Sequence, residues 1–167
     1  HSTRLQGRML KKGHLLTKDD ISLFFEEGME QVTVARLESD DIAENEAATL
    51  ITKILGGENL KATRAFTGRC NLISQKEGLL LLDHEKLNTI NLIDEAVTIA
   101  TSEKYGITTT GQLVATIKII PFSIPKSILK RVTKAVAKEP LISIAPFQEK
   151  TLGLIMTRLP GMKETVL

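Results

Sequence analysis

The sequence predicts an α+β fold, with mixed strands and helices in one compact domain, and three observations support it. Apolar patterns of helix type and strand type alternate irregularly along the chain, without a repeated strand–helix–strand unit or an internal repeat. The chain has 167 residues, of which 42% are hydrophobic and 25% charged, which is typical of globular domains. A chain of this length buries roughly 70% of its unfolded surface, so we expect a core that needs neither disulfides nor metal.

The first element pair is a short strand or turn followed by a helix. Gly7 and Gly13 bracket the strand or turn. Thr17, with Asp20 three positions later, approximates a capping box and predicts the start of the helix. Gly28 predicts where that helix ends, because glycine readily adopts the left-handed conformation that follows a helix.

A strand, a helix and a second strand are predicted next. Val and Leu side chains in residues 29–37 predict the first strand. Apolar residues then recur at helical spacing, in a helix that we expect to be capped by Asp40 or Asp41 and to end at Gly56. Residues 60–66 are predicted to form the following strand.

The middle of the chain continues this mixture. Residues 67–71 contain Gly and Asn, which predict a tight turn leading into a short helix. A continuous apolar run predicts a buried strand over residues 79–82, and a helix is expected over 84–93. Alternating side chains predict strands over residues 96–101 and 112–121.

One helix and two strands complete the predicted elements. Pro125 suits the first turn of a helix, and Pro140 limits its other end. Residues 141–147 and 151–156 are predicted to form strands. The irregular order of all these elements favours α+β over a doubly wound sheet.

Composition narrows the classes of partner. Lys and Arg number 22 against 20 Asp and Glu, for a formal net charge of +2, which gives no support for a nucleic-acid partner. With no Trp, one Tyr and five Phe, few aromatic side chains are available to stack on bases. The single Cys70 favours a reducing compartment, and we interpret the protein as cytoplasmic. No stretch approaches the ~20 apolar residues of a membrane helix, so no membrane partner is expected.

Motifs of the common enzyme classes are absent from the sequence. It contains no Gly-x-Gly-x-x-Gly, no Gly-Lys-Ser/Thr phosphate loop, no His-Glu-x-x-His and no Gly-x-Ser-x-Gly. Asp83, His84 and Glu85 are adjacent, but neighbouring side chains point apart, so no metal site is expected there. Arg69 could lower the pKa of the neighbouring Cys70 thiol, yet without a His in the same segment we expect this cysteine to be buried or incidental. Catalytic residues are therefore unknown.

Arg69 and Asn71 form a first polar cluster. A glycine-assisted turn into a helix would present backbone N–H groups and a guanidinium to an anion. Alternatively, Arg69 pairs with a nearby carboxylate and Asn71 caps the helix. Both interpretations remain open from the sequence.

A second polar cluster contains Asn91, Asp94, Glu95 and Thr98. Asp94 either caps or ends the preceding helix, or it shares a proton with Glu95 in a buried acid–base pair. Lys118 interrupts an otherwise apolar strand. It either extends from an edge strand or meets Asp94 or Glu95 in an interior ion pair.

Four motifs in a fixed order carry a family resemblance. They are TGRxNL at residues 67–72, INxIDEAVTIAT at 90–101, VATIKIIPF at 114–122 and TRLPGMK at 157–163. With them the chain resembles the N-terminal half of a bacterial molybdopterin-binding protein of molybdenum cofactor biosynthesis. This family is related to gephyrin-type molybdotransferases, and a domain similar to molybdopterin cytidylyltransferase follows in many members. The resemblance covers nearly the whole chain.

The resemblance implies a division of the chain. Residues 1–150 would be an N-terminal α+β domain, with 1–37 and 38–150 as sub-segments. Residues 151–167 would be the first strand and turn of a truncated α/β molybdopterin-binding domain. The rest of the pterin site would lie beyond Leu167, so we expect an incomplete molybdopterin site and no metal bound by this chain.

The resemblance also implies which residues contact the cofactor. Arg69 and Lys118 would contact an anionic pterin phosphate or nucleotide, on one concave surface. Four further residues would orient these two: Asn71, Asn91, Asp94 and Glu95. Thr157 and Arg158 would stand at the C-terminal end of a strand, where ligands of open α/β sheets bind.

The predicted function is an N-terminal domain that assists the binding or processing of molybdopterin, with the downstream domains as further partners. The longer protein would be a molybdotransferase or a cytidylyltransferase, whereas this chain alone is not expected to be catalytic. The alternative is a structural module that forms a homodimer or docks the downstream domains without contacting the cofactor. A freestanding enzyme using Asp94 or Glu95 is disfavoured because no nucleophile, metal cage or cofactor loop accompanies them.

Overall fold

The computed structural model describes residues 2–5, 7–11, 13–136, 139–157 and 160–161. Within these ranges the chain is an α+β fold of four helices and several small antiparallel sheets, as the sequence predicts. The helices are α1 (Lys18–Glu26), α2 (Glu44–Leu55), α3 (His84–Asn91) and α4 (Lys126–Val136). The strands are β1 (Thr3–Leu5), β2 (Arg8–Leu10), β3 (Asp41–Ala43), β4 (Leu60–Ala62), β5 (Arg69–Ser74), β6 (Gly78–Leu82), β7 (Val97–Thr101), β8 (Ile107–Thr108), β9 (Leu113–Ile119), β10 (Ser123–Pro125) and β11 (Ile142–Pro146).

A four-stranded sheet in the order β4-β5-β9-β7 forms the centre of the molecule. One face packs on α2, which contacts β5 and β9. The buried Ile51 and Leu55 of this helix share one core with Cys70, Ile99 and Ile117 of the sheet. Successive residues of a strand point to opposite faces, so the neighbours of these strand residues point away from the helix. The sheet therefore has one apolar face in the core and one face open to solvent.

The other elements extend the same core. Helix α4 packs on α2 and α3, and a three-stranded sheet in the order β11-β6-β8 contributes the buried Leu80 and Ile142. The Leu141 N–H donates to the Leu55 carbonyl over 3.0 Å, which ties this sheet to the end of α2. None of the helices in the described ranges is both long and apolar enough to cross a membrane.

The β1–β2 hairpin and α1 form a separate N-terminal unit with its own small core of Leu5, Leu10 and Phe24. The predicted capping box is confirmed. The Asp20 N–H donates to the Thr17 hydroxyl, and the Asp20 carboxylate accepts from the Thr17 N–H. The helix ends at Glu26, just before Gly28, whose φ is +68°.

Two predicted strands and one predicted short helix are absent, and helix α2 starts later than expected. The short helix after the turn at residues 67–71 is replaced by strand β5, because these residues pair with β9. Residues 29–37 form no strand because no other strand lies beside them to pair with. Helix α2 starts at Glu44 rather than after Asp40 or Asp41, since Asp41 is held in β3 by pairing with Pro125 of β10. Residues 151–156 are not a strand either: they pair with nothing in the described chain, and Ile155 is 92% exposed.

The remaining predicted strands and helices are present. Strands at 78–82, 97–101, 113–119 and 142–146 and the helix at 84–91 lie within two residues of their predicted bounds. Strand β4 is shorter than predicted, because it pairs with β5 only over Leu60–Ala62.

Candidate functional site

Arg69 and Lys118 face each other across two neighbouring strands. The register of β5 and β9 pairs Arg69 with Lys118, and both side chains are exposed on the open face of the sheet. The neighbouring residues Gly68 and Ile119 are hydrogen-bonded, since the Ile119 N–H donates to the Gly68 carbonyl over 2.7 Å. Hydrogen-bonded and non-hydrogen-bonded pairs alternate along antiparallel strands, so the backbones of Arg69 and Lys118 are not hydrogen-bonded to each other. Cα atoms in such positions are about 4.5 Å apart, closer than in hydrogen-bonded pairs. The predicted proximity of Arg69 to Lys118 is confirmed.

No carboxylate neutralises this pair from within the sheet. The sequences of β4, β5, β9 and β7 contain no Asp or Glu, and they carry Lys61 in addition to Arg69 and Lys118. Among the described residues, neither Arg69 nor Lys118 takes part in an ion pair. Like charges placed directly opposite each other are destabilising, so the two cations form a local site that attracts an anion.

The structure corrects both interpretations of Lys118. Strand β9 lies inside the sheet, between β5 and β7, so Lys118 is not on an edge strand. Its side chain is exposed rather than interior, and no ion pair joins it to Asp94 or Glu95 in the described chain. Thr98 of β7 is its partner on the side opposite Arg69.

Asn71 lies on the same open face but is engaged within the sheet. It belongs to strand β5, so the predicted short helix that it would cap does not form. The Thr116 hydroxyl donates to the Asn71 side-chain oxygen over 2.9 Å, and the Thr63 hydroxyl accepts from the Asn71 N–H. Asn71 therefore stiffens the sheet two residues along β5 from Arg69, at the next position on the same face.

The Asn91 side chain hydrogen-bonds to β7, the edge strand of the sheet. Its amide nitrogen donates to the Ile99 carbonyl over 2.9 Å, and its amide oxygen accepts from the Ile99 N–H over 2.8 Å. These two backbone groups point away from β9 because Ile99 pairs with Ile117 in the non-hydrogen-bonded position. The side chain replaces a neighbouring strand, so Asn91 is a structural residue and does not reach the Arg69–Lys118 pair.

Asp94 and Glu95 do not form a shared acid–base pair. The Asp94 carboxylate accepts from the Ala96 N–H over 3.0 Å, and its carbonyl accepts from the Val97 N–H, which closes the turn before β7. Glu95 is exposed in the same turn. Asp94 therefore has a structural role in this turn, although it neither caps nor ends α3, whose C-cap is Leu92.

Of Thr157 and Arg158, the structure describes only Thr157. Thr157 is exposed and belongs to no strand or helix. Arg158 lies outside the described residues. Of the implied site residues, the structure thus brings together Arg69 and Lys118, with Asn71 alongside.

Sequence reasoning missed Phe66. The Phe66 N–H donates to the Arg69 carbonyl over 2.9 Å, and the Arg69 N–H donates back to the Phe66 carbonyl over 3.0 Å. Thr67 and Gly68 between them have φ values of +47° and +70°, as in the two-residue hairpin turn of type I′. A Thr-Gly pair between two strand-like runs was the signal that could have indicated this hairpin.

Other candidate groups have structural roles. The Cys70 side chain is fully buried, and its sulfur donates to the Thr63 carbonyl over 3.2 Å. Asp83 caps α3 by accepting from the Lys86 N–H, and this hydrogen bond lowers the pKa of the Asp83 carboxyl. Across the described ranges, no group of three or more His, Cys, Asp or Glu is arranged to hold a metal ion.

Asp20 is the most perturbed carboxyl in the described chain. It is 1% exposed, and the Thr17 backbone N–H, His14 and the Thr17 hydroxyl hydrogen-bond to it within 2.9 Å. These bonds, with the backbone bond from Thr17 the largest cause, lower the pKa of Asp20 to about 2. Its other oxygen lies 3.6 Å from the Arg8 guanidinium. This buried carboxylate joins the hairpin to α1.

Two shallow cavities lie elsewhere on the described surface. One, of about 430 Å³, separates α2 from the segment before Phe66. The other, of about 380 Å³, is lined by the end of β6, the start of α3 and the segments that precede β8 and β11. Neither is lined by any of the implied site residues. The candidate site is therefore an open sheet face rather than an enclosed pocket.

No family model, no curated protein and no solved structure matches this chain.

Proposed function

We propose that this chain is a non-catalytic domain of a molybdenum cofactor biosynthesis protein, and that Arg69 and Lys118 bind the phosphate of molybdopterin. The family assignment rests on the four ordered motifs in the sequence. The binding role rests on one observation, the placement of Arg69 directly opposite Lys118 on the open face of a sheet without carboxylates.

The energetics of the pair favour an anionic ligand. Two like charges at one cross-strand position repel each other in the free protein. A phosphate dianion between them relieves this repulsion and forms charge-assisted hydrogen bonds, for which the planar guanidinium of Arg69 is well suited. Each such bond contributes about 1.5–3 kcal/mol.

The surroundings support binding rather than catalysis. The side chains of Asn71 and Thr116 bond to each other beside the pair, and the nearby Asp94 is engaged in a turn. No general acid or base therefore faces the two cations from these positions. A rigid sheet face of this kind can hold and orient a phosphate while a neighbouring domain acts on the rest of the ligand.

The test is a titration with molybdopterin, kept anaerobic, against the wild-type protein and the Arg69→Ala variant. We expect the variant to lose about tenfold to a hundredfold in affinity, because one charge-assisted contact is removed. Arg64→Ala is the matched control, since Arg64 is an exposed arginine outside the strand pair. Equal affinity in Arg69→Ala and wild type, or no binding by the wild type, would overturn the proposal.

A docking role is a second candidate, and one observation favours it. Leu152, Leu154 and Ile155 are 83–92% exposed at the C-terminal end of the described chain. Exposed apolar side chains in one segment are typical of an interaction site. A homodimer in light scattering that the Leu154→Asp variant disrupts would support this role, whereas a monomer at all concentrations would exclude self-association.

A further inference from the structure

The open face of the sheet places an aromatic ring in line with the two cations. The backbone hydrogen bonds of the hairpin set Phe66 directly opposite Arg69. Arg69 pairs with Lys118, and Lys118 pairs with Thr98. Paired residues of an antiparallel sheet project to the same face, so Phe66, Arg69, Lys118 and Thr98 form one row across it.

The position of Phe66 is set by the backbone. The turn between Phe66 and Arg69 has only two residues, and the Gly68 N–H is held by the Asn45 side-chain oxygen over 2.9 Å. A side chain on Gly68 would come within 2.6 Å of the Ile119 carbonyl oxygen, so this turn packs closely on the end of β9. The Phe66 ring is nevertheless 75% exposed. The turn therefore fixes the backbone of Phe66 opposite Arg69 and leaves its aromatic ring open to solvent.

We propose that this row binds a phosphate ester of a planar heterocycle, with the ring stacked on Phe66 and the phosphate held between Arg69 and Lys118. The inference rests on the proposed phosphate site and adds Phe66 as the residue that binds the ring of the ligand. Aromatic side chains stack on planar heterocycles of every kind, and guanidinium and ammonium groups bind phosphate. The Thr98 hydroxyl at the far end of the row is a further hydrogen-bonding group for the phosphate.

The dimensions of the row suit one small ligand rather than a polymer. Strands are spaced about 4.8 Å apart, so the four side chains span about 14 Å. Strands β4, β5, β7 and β9 themselves contain no Phe, Tyr or Trp, so Phe66 is a single aromatic side chain at the end of the row. Surfaces that bind single-stranded nucleic acid instead use several aromatic side chains for successive bases. A nucleotide or a pterin phosphate has both a planar ring that can stack on Phe66 and a phosphate that can bind between Arg69 and Lys118.

The experiment compares guanosine monophosphate with ribose phosphate, which lacks the ring, by calorimetric titration of the whole chain. We expect guanosine monophosphate to bind the wild type about tenfold more tightly, as one stacked ring contributes. Phe66→Leu should abolish that difference and leave the affinity for ribose phosphate unchanged. Phe147→Leu, at an exposed phenylalanine outside the row, is the matched control and should preserve the difference.

The outcomes separate this inference from the proposed function. Equal binding of the two ligands by the wild type, or an unchanged preference in Phe66→Leu, would overturn the stacking role and leave the phosphate site standing. Binding of neither ligand at millimolar concentration would overturn both. A parallel titration with neopterin monophosphate identifies the source of the ring: tighter binding than guanosine monophosphate indicates a pterin, and weaker binding indicates a nucleotide.

Discussion

Asn91 at the edge of the four-stranded sheet and the Arg69–Lys118 pair at its centre differ in whether the fold supplies their side chains with partners. At the edge, both polar atoms of the Asn91 amide are bonded to the backbone of Ile99. At the centre, Arg69 and Lys118 stand opposite each other, and neither takes part in an ion pair with another described residue. Both places were expected to contact one ligand. Only the centre retains hydrogen-bonding capacity that the fold does not use.

This difference separates polar groups that stabilise the fold from polar groups that are available for binding. A buried or edge polar group without a partner destabilises the protein, so the fold supplies one. Two cations placed together without a partner lower stability instead. Substitutions at the two places should therefore change stability in opposite directions.

The largest expected change in stability is at the edge. Asn91→Ala removes two hydrogen bonds and leaves the Ile99 backbone groups without a partner, so the free energy of unfolding should fall by about 2–3 kcal/mol. Chemical denaturation measures this loss. Asn88→Ala, one turn earlier on an exposed position of α3, is the control and should stay within about 0.5 kcal/mol of wild type. An equal effect of the two substitutions would contradict the edge role of Asn91.

A smaller change of opposite sign is expected at the centre. Lys118→Glu replaces a like-charged cross-strand pair with an attractive one, so the protein should be stabilised by roughly 0.2–1 kcal/mol. Raising the salt concentration should reduce this gain, since the pair is exposed to solvent. Denaturation at low and high salt measures it, and a net loss of stability would mean that Lys118 has a structural partner after all.

The most local of the expected changes concerns Asp20, a charged group that the fold does supply with partners. Its folded pKa of about 2 is below the ordinary 3.8, so its contribution is complete above about pH 4 and is lost as the pH falls towards 2. The loss should be confined to α1 and the β1–β2 hairpin, which share a separate small core. Nuclear magnetic resonance signals of Phe24 during acid titration measure it.

Two variants make the acid titration specific. Asp20→Asn should flatten the pH dependence of the Phe24 signals between pH 3.8 and about 2. Asp83→Asn should leave that dependence unchanged, because Asp83 caps α3 in the main body. If the Phe24 signals of wild type were independent of pH over this range, the role given to Asp20 would be wrong.

Local sequence patterns predicted the elements that depend on local chemistry. The Thr17–Asp20 capping box and strand β9 follow from residues close together in the chain. Residues 29–37 and 151–156 carry equally strand-like patterns and form no strand, since a strand requires a neighbour to pair with. Periodicity describes one segment and contains no information about which other segment lies beside it.

The candidate site was predictable only in part for the same reason. Arg69 and Lys118 were identified as anion contacts, but 49 positions separate them in the chain, and their pairing depends on strand register. The family resemblance implies Asn91 as a site residue, and its actual partner, the Ile99 backbone, cannot be recognised from a pattern of side chains. Phe66 was overlooked because the turn that brings it opposite Arg69 was interpreted as the start of a helix.

The most direct test of the central claim is a titration of guanosine monophosphate against wild type, Lys118→Glu and Lys61→Glu. Both variants change the net charge equally, but Lys61 pairs with Ile73 on the same sheet, away from the row of Phe66 and Arg69. The account predicts that Lys118→Glu loses at least about tenfold in affinity, as expected for one charge-assisted contact, while Lys61→Glu binds nearly as wild type. Equal affinities for the two variants would contradict a site at the Arg69–Lys118 pair.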